Sequence, residues 1–138
     1  KIYATELAGF PKIVDGDTIH INSYKIRLEG IDAPEKKQAF GEKSKQSLQD
    51  LVHSKQVRIE YDKEDKYGRI VGKITLDDLD ICLQQLVLGM AWHYKKYQNE
   101  QSASDQAVYS DTELKSKSLK LGLWADDAPM SPWEFRKK

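Results

Sequence analysis

The sequence predicts an α+β protein, a five-stranded β-barrel of the OB type carrying three α-helices. Short runs that alternate apolar and polar residues fill positions 8–28, separated by turn residues. Two further runs rich in Val and Ile stand at 56–61 and 69–75. Helical periodicity enters once after the third run and twice after the fifth. Strands with one helix inserted after the third, and helices at the end, fit that small barrel.

The first strand, 8–14, passes through Gly9 and Pro11, which marks an edge or a bend. The second is 18–21, followed by a turn at Asn22-Ser23. The third is 24–28, with Tyr24, Ile26 and Leu28 on one face and Lys25 and Arg27 on the other. Pro34 then stops the sheet because it has no ladder donor. A helix over 38–53 sets Phe40, Leu48, Leu51 and Val52 in a stripe, with Gly41 weakening its first turn. Strands at 56–61 and 69–75 flank a charged connector at 62–68, and Asp77-Asp78 makes the next turn. A helix over 80–88 is closed by Gly89, which suits a left-handed C-terminal cap. A basic aromatic segment at 90–97, a polar loop at 99–104 and a last helix at 105–120 follow. The tail, 126–138, reads as irregular, with Trp133 and Phe135 packing back on the barrel so that its deletion costs stability before activity.

With 138 residues the chain is expected to be one domain over 1–138. No apolar run approaches the roughly 18 residues of a membrane span. The 22 basic and 22 acidic residues cancel, which argues against a pure electrostatic coat on nucleic acid, since such binding rests on neutralising phosphates. Local arginines with a metal remain compatible with that balance. The single Cys82 has no disulfide partner and lies between Ile81 and Leu83, as a small core residue would. His20, His53 and His93 lack ligand spacing and read as structural or exposed.

Chemistry concentrates at 13–35. Asp15 and Asp17 flank Gly16 before the second strand, and Asp32 follows the third. A hairpin brings Asp17 near Asp32, and two carboxylates with the Ala33 carbonyl suit a hard cation. An Asp-Gly-Asp turn and an Asp-Ala-Pro strand exit are equally ordinary features, so the spacing leaves both readings open. Hydrolysis of a phosphodiester needs a positioned water, a proton acceptor and positive charge where negative charge accumulates. Arg27 and Arg69 can meet over one phosphate, and Glu35 can hold or deprotonate a water. Ordinary Arg–Glu surface pairing is the competing account of each. Tyr67, Trp92, Tyr94 and Tyr97, with Lys66, Lys95 and Lys96, can flank a nucleotide, while Trp92 also reads as core.

VDGDT at 14–18, IRLEGIDAPE at 26–35, DKYGR at 65–69, the segment 86–91 around Gly89 and LGLW at 121–124 together resemble the staphylococcal nuclease (thermonuclease) family. The resemblance implies an OB barrel with three helices and a Ca²⁺-dependent, largely sequence-nonspecific hydrolase of DNA and RNA that leaves 3′-phosphates. It implies one Ca²⁺ held by Asp17, Asp32 and the Ala33 carbonyl. It also implies phosphate-binding Arg27 and Arg69, Glu35 as general base, and nucleotide contacts at Lys66, Tyr67 and Tyr97. Ala33 stands where the best-known member has threonine, the segment after Glu35 is shorter, and the tyrosine pair after Gly89 aligns only at Tyr97. A secreted or periplasmic monomer, with no membrane or obligate protein partner, is the matching expectation. The chain opens KIYATELAG, without methionine or an apolar signal core, as a mature or trimmed form would. The alternative class is a catalytically silent OB module binding nucleic acid or protein. Retention of Asp17, Arg27, Asp32, Glu35 and Arg69 separates the two.

Overall fold

The computed structural model describes residues 3–138, and of Lys63 only the backbone. Its strands are β1 (Thr5–Gly9), β2 (Lys12–Asp15), β3 (Thr18–Ile21), β4 (Tyr24–Leu28), β5 (Ile31–Asp32), β6 (Val57–Glu64), β7 (Ile70–Leu76), β8 (Leu79–Asp80) and β9 (Trp92–His93). The helices are α1 (Gly41–Val52), α2 (Ile81–Val87), α3 (Ala103–Ser118) and α4 (Pro132–Phe135), with 3-10 turns at Lys95–Glu100 and Gly122–Ala125. A curled sheet runs in the order β1-β6-β7-β4-β3-β2, β8 adds to β7, and β5 pairs with β9 separately. This α+β arrangement fits an OB-type fold. The expected five strands and three helices are too few: short strands pair at β5, β8 and β9, and a fourth α-helix lies in the tail.

The expected first strand is two. Pro11 cannot donate, and the break lets β1 pair with β6 while β2 pairs with β3. Gly9 is needed at that break, because a Cβ there would lie 2.5 Å from Ile21 Cγ2. The turns behave as expected: Asn22, Asp77 and Asp78 all have positive φ. Helix α1 starts later than predicted because Phe40 takes φ +69°, outside the helical backbone. Asp80 caps α2 by accepting from the Leu83 N–H at 3.0 Å, and Ser102 does the same for α3. Gly89, at φ +69°, closes α2 as predicted.

One pairing positions the site more than any other. Strands β4 and β7 run parallel, with Ile26 opposite Ile70 and Arg27 opposite Val71. Arg69, just ahead of β7, lies two residues before the position opposite Arg27. Ile19, Ile26, Leu28, Ile59, Ile74, Leu48 and Leu86 fill the core beneath, and Cys82 is buried there as a small apolar residue.

A polar joint locks α1 and α2 to the Asp-Gly-Asp turn. The fully buried Gln85 donates to the carbonyls of Gly16 (2.9 Å) and Ser44 (3.0 Å) and accepts from Ser47 Oγ (2.7 Å). Gln85→Leu leaves those groups unsatisfied in a dry interior and should cost about 1–3 kcal/mol. A lowered urea midpoint with unchanged slope measures it.

Candidate active site

Asp17 ends the tight turn before β3. Asp15 Oδ1 accepts the Asp17 N–H at 3.1 Å, so Asp15 is the turn-former. The Asp17 backbone carbonyl accepts from Leu28 N–H at 2.8 Å, pinning it to β4. Its side chain accepts from the Ala33 N–H (2.7 Å) and the Thr18 hydroxyl (3.0 Å). Ala33 thus meets Asp17 through its N–H. Gly16 is held close: a Cβ there would lie 2.8 Å from Ala33 Cβ and overlap Ser44.

Asp32 is buried at the end of β5, opposite Trp92 of β9. Burial raises the carboxyls of both acids; for Asp17 the negative neighbours Asp15 and Asp32 add to it. Excess negative charge in a poorly solvated corner calls for a cation. Among the described residues no group of three or more His, Cys, Asp or Glu converges as a ligand cage. The available donors are the oxygens of two carboxylates, and these fit a hard divalent cation in kind.

The arginines are joined by an acid that the sequence reading left in a connector. Asp65 accepts at Oδ1 from the N–H groups of Tyr67 (2.9 Å) and Arg69 (3.0 Å), and at Oδ2 from Arg69 Nε (2.9 Å). The same Oδ2 lies 3.8 Å from Arg27 Nε. Arg27, 8% exposed, also donates from Nη2 to both oxygens of Glu100, at 2.8 and 3.1 Å. The expected alternation along β4 therefore fails at its end, where Ile26, Arg27 and Leu28 are all buried and both faces are covered. Arg27 Nη1 is buried without a hydrogen-bond partner among the described residues, a donor left over after the fold has taken what it needs.

The remaining expected contacts gather here too. Lys66 Nζ and the Arg69 guanidinium lie 5.2 and 5.6 Å from the ring centre of Tyr67, which is 71% exposed. Arg27 lies 5.6 Å from the ring centre of Tyr97, which meets Tyr94 edge-on. His93 is buried, hydrogen-bonded to Gln101, and pushed below its ordinary pKa by that burial.

The tail is helical at α4, where the sequence reads as irregular, while Trp133 packs back on the barrel as expected. Ser131 caps α4, and Trp133 stacks on Tyr94 (5.6 Å, 4° between planes) and meets Trp92 edge-on. Arg136 then reaches into the acids: it pairs with both oxygens of Asp32 (3.1 and 2.7 Å), with Glu35 Oε1 (3.0 Å) and with Tyr94 Oη (3.3 Å). Sequence reasoning missed Asp65, Glu100, Gln85 and Arg136. Only Asp65, inside DKYGR, carried a local signal.

Burial draws the Asp65 carboxyl upward, but the hydrogen bonds from Arg69 and Tyr67 and the Arg69 charge outweigh it and hold it below the carboxylate range. Its folded pKa therefore lies below the unfolded value of about 3.9. The stability it contributes is fully present above that value and is lost as pH falls through the depressed one. Asp65→Asn should destabilise the protein at neutral pH, and the gap from wild type should close on acidification. Thermal unfolding between neutral pH and pH 2 measures this.

Residues 25–126 match the family model described as staphylococcal nuclease homologue. That range includes the arginines, Asp32 and Glu35, and leaves Asp17 and the tail outside. An uncharacterized endonuclease of Haemophilus influenzae is 39% identical over 132 residues, covering 92% of this chain and 71% of its own length. An uncharacterized endonuclease of Escherichia coli is 35% identical over 130 residues, covering 91% and 81%. A probable staphylococcal-like nuclease of Oryza sativa subsp. japonica is 35% identical over 132 residues, 94% of this chain but only 38% of the rice protein. With its matching motifs, its arginine pair and a match over most of its length, the chain belongs to the staphylococcal nuclease homologue family.

Proposed function

We propose that the protein is a metal-dependent nuclease that hydrolyses phosphodiesters of DNA and RNA, with Ca²⁺ at Asp17 and Asp32. The observation that carries this reading is the buried Arg27, whose Nη1 has no partner among the described residues, linked to Arg69 through a shared Asp65. A structural ion pair has no use for a spare buried guanidinium N–H. A phosphate oxygen satisfies it, and a second guanidinium at Arg69 supplies the charge for a phosphorane. The nuclease names of the bacterial and plant relatives support the same substrate class.

In this mechanism Arg27 and Arg69 hold the scissile phosphate and stabilise the negative charge that gathers on it and on the leaving 5′ oxygen. Asp65 and Glu100 keep the two guanidiniums in register. Glu35, half-buried beside Asp32, orients the attacking water and takes its proton. When bound, Ca²⁺ neutralises the carboxylate corner and polarises the phosphate. Asp17, Asp32 and the Ala33 carbonyl would hold that ion. Lys66, Tyr67 and Tyr97 border the arginines and would contact the nucleotide on either side.

Arg69→Lys or Arg27→Lys keeps the charge and loses the planar fork. Each should cost about 3–4 kcal/mol of transition-state stabilisation, roughly a hundredfold or more in kcat. Wild-type kcat in either variant removes its assigned role. Digestion of plasmid DNA and of RNA should proceed with Ca²⁺ and stop in chelator. Undiminished cleavage in chelator refutes the metal site, and absence of cleavage under every condition leaves a silent binding module.

A further inference from the structure

The C-terminal helix brings a cation of its own to the acids. We propose that Arg136 is a tethered stand-in for the metal, so that docking of α4 and binding of a divalent cation at Asp32 exclude one another. The inference rests on the metal reading above and goes beyond it by naming how that site is controlled.

The geometry is that of a competitor. The two terminal nitrogens of Arg136 take both oxygens of the buried Asp32 at 3.1 and 2.7 Å, and Nη1 also takes Glu35 Oε1 at 3.0 Å. A carboxylate in bidentate embrace with guanidinium has its best lone pairs committed. A divalent ion on the same oxygens would lie within van der Waals reach of a fixed positive charge. Arg136 must therefore leave for the ion to enter Asp32. The docked state also ties down Glu35, whose carboxylate is needed free to handle water.

The tether is built to release. Helix α4 has four residues, Pro132–Phe135, too few to persist without its contacts. Its anchors include the Trp133–Tyr94 stack, the edge contact with Trp92, and the Met130 carbonyl accepting from Gln38 Nε2 at 2.7 Å. Gln38 also accepts the Glu35 N–H at 3.0 Å, so the tail and the general-base segment share an anchor. The Arg136 side chain keeps 39% of its surface in water, so solvent can take up the guanidinium as it leaves.

Calorimetric titration of the full chain with Ca²⁺, without substrate, tests this. Arg136→Gln should bind Ca²⁺ at least about tenfold more tightly than wild type, the shift expected when the tail is docked about nine-tenths of the time. Arg58→Gln, which removes a charge from an exposed pair with Glu6, should bind as wild type does, and Asp32→Asn should lose binding. In wild type, Ca²⁺ should move the Trp133 indole N–H resonance, assigned by its loss in Trp133→Phe, toward its solvent-exposed position. If Ca²⁺ binds but Arg136→Gln binds it no more tightly, or the Trp133 resonance stays put, the exclusion is overturned and the metal site stands. If neither wild type nor Arg136→Gln binds Ca²⁺, the metal reading and the exclusion both fall.

Discussion

Two carboxylates, Asp17 and Asp32, are set into a poorly solvated corner, and the surrounding structure answers the charge this places there. Burial and mutual repulsion push the Asp17 carboxyl upward, so the corner gains wherever a donor or cation approaches. The Ala33 N–H and the Thr18 hydroxyl come to Asp17, and the Arg136 guanidinium comes to Asp32. The proposed cation would need such an unsatisfied corner. A chain without the ion must either tolerate the repulsion or provide a cation from itself.

The opposite problem is solved elsewhere on the sheet. Arg27 is a cation inside the fold, and it persists because Glu100 clamps it and Asp65 stands by. Asp65 also accepts from Arg69, so one carboxylate sets the spacing of two guanidiniums. The parallel pairing of β4 with β7 sets Arg27 opposite Val71, two residues after Arg69, so that Asp65 can reach both guanidiniums. The site is thus two charged clusters of opposite need, one short of positive charge and one with a guanidinium donor to spare. Substrate phosphate and metal would satisfy both at once.

Local chemistry explains which parts were legible in the chain. Alternation located β3 and β4, Gly89 located the end of α2, and the Asp77-Asp78 turn took the left-handed backbone its residue types favour. Asp17 and Asp32 stood out because they lie at strand ends. What failed was of longer range. Glu100 is 73 positions from Arg27, and Arg136 is 104 from Asp32; an Arg in a short tail has no local feature that names its partner. Gln85 sat inside a helical pattern as one more polar residue, and only the packing of α1 against α2 reveals that it is buried and fully used.

By itself, then, the chain determined β3, β4, the turns between strands and the Gly89 cap, since each depends on neighbours within a few residues. It also carried the family's motifs in order. Tertiary structure alone decided that Arg27 is buried, that Asp65 serves both arginines, and that the tail ends on the acids. Those outcomes follow from strand register and from electrostatics between distant segments, where the energy of a charge depends on what the fold places around it and not on the residues beside it in sequence.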